Sequence, residues 1–138
     1  MTVIIKTPAT SKPVLYTDFH KDLRISPVSK DIALIKDEDA VKQSIKNLLL
    51  TDPGERLMQP FLGAGIKGLL FENITPGVLK LIEEKVTSTI KVYEPRAELI
   101  DVIVSSEYDD NQVSVQVRFY VKNVNQPIEL DVILERIR

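Results

Sequence analysis

Val113-Ser114-Val115-Gln116-Val117-Arg118-Phe119-Tyr120-Val121 alternates apolar and polar side chains without a break. Successive side chains on a strand point to opposite faces, so Val113, Val115, Val117, Phe119 and Val121 share one surface. Ser114, Gln116, Arg118 and Tyr120 share the other. Such a strand belongs to an antiparallel sheet with one face on a core and one in water. Beyond a turn at Asn123-Val124-Asn125-Gln126, Ile128, Leu130, Val132 and Leu134 repeat the pattern, with Glu129, Asp131 and Glu135 opposite. Upstream, residues 99–105 read as a strand, and Tyr108-Asp109-Asp110-Asn111 has the chemistry of a hairpin turn. The C-terminal third is therefore an antiparallel meander.

Before residue 97 the period is helical. Thr75 as N-cap and Pro76 at the first helical position open a helix that runs to about Val92, with Val78, Leu79, Ile82, Val86, Ile90 and Tyr93 near one face. An earlier helix spans 38–50, with Asp37 as N-cap and Val41, Ile45, Leu48 and Leu49 as its buried stripe. Thr51-Asp52-Pro53-Gly54 stops it. The loop 55–65 is too rich in glycine and proline for a helix, yet its apolar residues predict that it packs on the core. Gly63 and Gly65 lack the further glycine, lysine and hydroxyl of a phosphate loop, so they serve backbone turning. The fold class is α+β, two main helices packed on a C-terminal antiparallel β-meander.

The first residues are less regular. A short β-branched run, Thr2-Val3-Ile4-Ile5-Lys6, precedes Thr7-Pro8-Ala9-Thr10-Ser11-Lys12-Pro13, and 1–13 read as an extended N-terminal arm ahead of a single domain, 14–138. Short strands are expected within 14–25 and a turn at Ser26-Pro27. Asp18, His20 and Asp22 alternate; in a strand they would share a face and mimic a metal site, but with no second histidine nearby a solvated face is expected.

Composition removes several functions. The 138 residues suffice for one domain that buries about two thirds of its unfolded surface. With no cysteine and one histidine, thiolate metal sites, disulfides and cysteine nucleophiles are excluded, and neither metal nor cofactor is expected. A net charge of −2 argues against non-specific nucleic-acid binding. No apolar run reaches membrane-spanning length, and the N-terminal run is too short for a signal-peptide core, so a soluble chain made in the cytosol is expected.

Tyr93-Glu94-Pro95-Arg96 stands where the second helix gives way to the strands. Pro95 cannot continue a helix and moves Glu94 out of the α region, leaving a carboxylate and a guanidinium on a fixed corner. Little freedom remains to be lost on binding, which suits charge-assisted hydrogen bonds to another chain. Exposed charges at a helix exit contribute under about 1 kcal/mol to folding, so the corner is expected to serve an interface rather than the monomer. A hydrolase would need two carboxyl groups across a cleft, one with a raised pKa. Glu55, Glu72 and Glu94 are the candidates, but arginines beside Glu55 and Glu94 would lower theirs. A lysozyme-like peptidoglycan hydrolase and a generic cytosolic protein-binding module are the alternatives to an assembly protein.

With these landmarks in order, the chain resembles the small baseplate wedge proteins of contractile-tailed phages, a sheath-initiator family once labelled lysozyme-like. The resemblance covers about residues 15–135. It rests on Asp31-Ile32, Ser44-Ile45-Lys46-Asn47-Leu48-Leu49-Leu50-Thr51, Gly54-Glu55-Arg56, Phe61-Leu62-Gly63, Leu69-Leu70-Phe71-Glu72 and above all Tyr93-Glu94-Pro95-Arg96. Leu57-Met58-Gln59-Pro60 departs from the family, which commonly has proline directly after Gly-Glu-Arg. The resemblance implies a domain like the interlocking domain of contractile sheath proteins, and a virion baseplate component assembled in the host cytoplasm. It implies a structural, non-enzymatic role that joins the wedge core bundle to the first sheath ring and starts sheath polymerisation by strand addition. Partners would be other wedge proteins and the sheath protein, with the tail tube or hub as further candidates, and neither membrane nor specific nucleic acid. Tyr93, Glu94, Pro95 and Arg96 would contact the core bundle, Glu55 and Arg56 would add a loop contact, and Val113, Val115, Val117, Ile128, Leu130 and Val132 would belong to the sheath-pairing sheet.

Overall fold

The computed structural model describes residues 13–107, 112–122 and 124–135. Residues 1–12 of the arm 1–13, the turn 108–111, Asn123 of the second turn and residues 136–138 lie outside them. The elements are β1 (Thr17–Phe19), β2 (Leu34–Lys36), α1 (Asp37–Leu50), α2 (Lys67–Leu70), α3 (Pro76–Tyr93), β3 (Ala97–Glu107), β4 (Gln112–Val121) and β5 (Ile128–Glu135). The protein is α+β, with β3, β4 and β5 in an antiparallel sheet ordered β3-β4-β5 and β1 paired with β2 in a small separate ribbon.

Alternation on β4 and β5 places the same residues inside that the sequence nominates: Val113, Val115, Val117, Phe119 and Val121 are buried, as are Ile128, Val132 and Leu134. Val41, Ile45 and Leu49 of α1 and Ile82, Val86 and Ile90 of α3 close the core against them. Phe119 is among the largest fully buried side chains. Strand β3 is longer than expected and carries a bulge. Leu99 faces Phe119 and Asp101 faces Arg118, so Ile100 is an extra residue. The extra residue shifts the alternation by one, which lets Val102 and Val104 face inward on the same side as Leu99.

Thr75 caps α3 as predicted, its hydroxyl accepting from the Val78 N–H at 3.3 Å. Asp37 does not cap α1. It is the first residue of the helix, with φ of 43°, a conformation that aspartate tolerates. Its carboxylate accepts from the backbone N–H groups of Leu15 at 2.9 Å and Tyr16 at 3.1 Å, fastening the preceding chain to the helix start. Strand β1 ends at Phe19, so Asp18, His20 and Asp22 do not line one strand face; Asp22 pairs with Arg24 at 3.0 Å.

The loop after α1 departs most from expectation. Ala64 and Ile66 enter the core, but Leu57, Met58 and Phe61 are 97, 96 and 82% exposed. The backbone has its own constraints: the Gly54 N–H donates to the Pro60 carbonyl at 2.7 Å, and Gly63, at φ of 126°, runs against the Thr51 backbone. A chain folded on itself in this way holds its apolar tips outward.

A corner, a loop and two sheet edges

The corner at the end of α3 is a closed turn. Glu94 N–H donates to the Ile90 carbonyl at 2.9 Å, the last helical bond, and the Ala97 N–H donates to the Glu94 carbonyl at 3.1 Å. Pro95 sits between, where its fixed φ suits the turn. The sequence led us to expect two exposed charges here. Instead Glu94 is only 2% exposed, and its two oxygens accept from Arg96 Nε at 2.6 Å and Nη2 at 2.7 Å. The bidentate pair explains the burial, because a carboxylate leaves water only when paired. The Arg96 side chain stays 31% exposed, and its guanidinium lies over the Tyr16 ring, 5.5 Å from the centroid. It borders a concavity of about 350 Å³ lined also by Pro95, Glu98, Tyr120 and Lys122. The N–H groups of Arg96 not held by Glu94 are the part of the fork that a partner can use.

Burial pushes the Glu94 carboxyl up, but hydrogen bonds from Arg96 and Ser44 and the nearby guanidinium charge prevail and hold it below its ordinary value of about 4.5. A carboxyl depressed in the folded state contributes stability above its unfolded pKa and loses it as pH falls through the folded value. The melting temperature should therefore drop as pH is lowered below about 4.5, and Glu94→Gln should flatten that dependence. An acid limb of equal steepness in the variant would assign the loss to other carboxylates.

Tyr93 connects the corner to the exposed loop, its hydroxyl donating to the Phe61 carbonyl at 2.9 Å. Arg56 lines a polar hollow with Asp18, Ser44, Asn47 and Tyr93, so it faces the corner's side of the molecule. Glu55 goes elsewhere. It accepts from Lys67 Nζ at 3.1 Å and from the Asp52 N–H at 3.2 Å, with Lys67 also 3.4 Å from Asp52. The Lys67 hydrogen bond, then that of Asp52, hold the Glu55 carboxyl below its usual range. Both flanking carboxylates of the hydrolase alternative are thus shifted the wrong way for a general acid, and each is committed to its own cation; Glu72 is exposed.

Leu57, Met58 and Phe61 were not singled out from the sequence as surface residues. The available signal was the absence of any period that would bring them to a common buried face.

In the large sheet, Val113, Val115 and Val117 lie on the central strand β4, which is paired on both sides. Their side chains are core and their backbone has no free ladder. Ile128, Leu130 and Val132 lie on β5, which with β3 forms an edge of the sheet. Unpaired edge groups can accept another strand.

The sequence model of the family described as "Baseplate wedge protein gp25" matches residues 36–126. Baseplate wedge protein gp25 of Enterobacteria phage T4 is 29% identical over 117 residues, covering 85% of this chain and 86% of that protein. A chain in the structure of the anti-feeding prophage baseplate is 32% identical, with 80% of this chain and 88% of that chain covered and a TM-score of 0.69. A crystallised Geobacter sulfurreducens protein that carries a tail-lysozyme label is 30% identical over 73% of this chain and 92% of its own, with a TM-score of 0.67.

Proposed function

The chain belongs to the baseplate wedge protein gp25 family, and from that premise we propose that it joins the wedge core of a contractile tail to the first sheath ring. Its role is structural. The Glu94–Arg96 corner is the contact to the wedge, with the loop around Arg56 beside it, and the three-stranded sheet is the platform to which sheath strands are added. The observation that carries this reading is the sheet order: β4 is enclosed, while β3 and β5 each have, among the described residues, a neighbour on one side only. Main-chain pairing supplies affinity with little dependence on partner side chains, which suits a platform that starts a repeating polymer.

Proline removes one ladder donor, and at an outward-facing position it leaves the core filled. Among proline variants at Glu129, Asp131 and Ile133 of β5, and at Glu98 and Ile103 of β3, those that keep the parent's melting temperature should enter baseplates and yield particles without ordered sheath on the edge that matters. Electron microscopy of assembled particles reads both steps. Normal sheath from every stable variant on both edges would remove strand addition from the mechanism, and failure of the parent to enter baseplates would remove the wedge assignment.

A further inference from the structure

We propose that β5, not β3, receives the partner strand, and that this strand is an extended segment with Lys or Arg on its outward face and an apolar anchor on its inward face. The inference rests on the strand-addition reading above and specifies its partner.

The two edges differ in regularity. All eight residues of β5 pair with β4 in unbroken register, from Gln112–Glu135 to Phe119–Ile128, so the other side of β5, unpaired among the described residues, is an even ladder. The bulge at Ile100 interrupts β3 and increases its twist, a device that protects an edge from pairing.

They also differ in charge. Glu129, Asp131 and Glu135 project from the outer face of β5, all three exposed. Among the described residues none of the three has an ion-pair partner. Arg118, which stands opposite Glu129 across the ladder, is instead paired to Asp101 of β3 at 2.8 Å, so it leaves Glu129 uncompensated. An added strand places its outward side chains beside those of β5, and opposite charges there are favourable whereas like charges are not. A basic outward face is the complement.

The inward side chains meet a different surface. Leu50 at the end of α1, Leu70 and Phe71 near α2, and the inward Leu134 of β5 line a groove of about 340 Å³ at one end of the β5 edge, with Lys67, Glu135 and the outward Ile133 also in its wall. It has room for a large apolar side chain from a strand laid on β5. Eight residues at about 3.3 Å each give a ladder of about 26 Å, so a segment of similar length fits.

The test uses the full chain and a labelled, end-capped peptide of alternating Lys and Val residues, read by fluorescence anisotropy and by backbone amide shifts. Binding should perturb the β5 amides, weaken with salt, and fall about tenfold in the Glu129→Lys/Asp131→Lys double variant. Leu50→Glu should weaken it as well, while Ile103→Lys on β3 should leave it unchanged. A proline-interrupted peptide of the same charge that binds equally well would reduce the effect to surface electrostatics and overturn the proposal. So would shifts confined to β3, or concentration-dependent self-association that the double variant abolishes, which would give the edge to a second copy of this chain. If the double variant still orders sheath in particles, the choice of β5 falls while the wedge assignment stands.

Discussion

Arg96→Ala is expected to lower the stability of the isolated protein by about 3 kcal/mol, the low end for removing one partner of a buried ion pair. The loss comes from Glu94, which would remain 2% exposed with a charge and no guanidinium to meet it. The Tyr16 ring would lose the cation above it as well. The expectation from sequence, a contribution under about 1 kcal/mol, held for exposed charges and does not hold for this buried pair. The destabilisation also means that a failure of Arg96→Ala to enter baseplates would not by itself identify an interface. The double variant Glu94→Met/Arg96→Met separates the two roles, since replacing a buried pair by apolar side chains of similar volume is often neutral for stability. It should melt near the parent and still be excluded from baseplates. If it melts near the parent and assembles normally, the corner is a structural pair and the wedge contact lies elsewhere.

Gly63→Ala should cost about 3 kcal/mol or more, whereas Gly54→Ala should cost about 1 kcal/mol. Both glycines have positive φ, 126° and 93°, and differ in their surroundings. A Cβ on Gly54 meets nothing within 4 Å, so only the backbone preference is lost. On Gly63 it would collide with the Thr51 carbonyl oxygen and crowd the Asp52 backbone, groups that cannot swing away as a side-chain tip could. The loop must then shift, and with it Phe61 and the Tyr93 hydroxyl that holds its carbonyl. Thermal denaturation of the two variants measures the difference. Equal melting temperatures would mean that the path of the loop past Thr51 is not needed for stability.

Period was enough for most of the fold. The alternation of Val113 to Val121 and the stripe Ile82, Val86, Ile90 each have a single core-facing solution, and the protein adopts it. The bulge at Ile100 was harder to find, although Leu99 with Val102 and Val104 violates strict alternation and a careful count implies one extra residue. Asp37 had the right residue type for a cap, but a carboxylate serves whichever N–H groups the chain brings to it, and these came from Leu15 and Tyr16 at a distance in sequence. The corner was legible as a turn from Pro95 alone. Its burial was not, because that depends on Ser44 reaching Glu94 and on Tyr16 lying against Arg96, contacts that no local pattern encodes. The outward loop failed for a related reason: without a period, apolar content says nothing about which way a side chain points.

The small ribbon of β1 and β2 is held to the domain largely by polar groups at the surface. Asp37 accepts from Leu15 and Tyr16, the Gln43 amide donates to the Phe19 carbonyl at 2.9 Å, and the Gln43 oxygen accepts from the Lys21 N–H at 3.0 Å. Phe19, Leu23, Ile25 and Leu34 remain exposed. A unit attached by a few solvent-accessible hydrogen bonds opens at a lower free energy than the core it rests on. Native-state hydrogen exchange should then find two cooperative units, with the amides of 17–36 exchanging through a partial opening that leaves β4 protected. Tyr16, packed against the core and beneath the Arg96 guanidinium, marks where that unit joins the domain. The protein is in this sense expected to behave as a rigid platform with a detachable visor, hinged next to the residue that lies against Arg96.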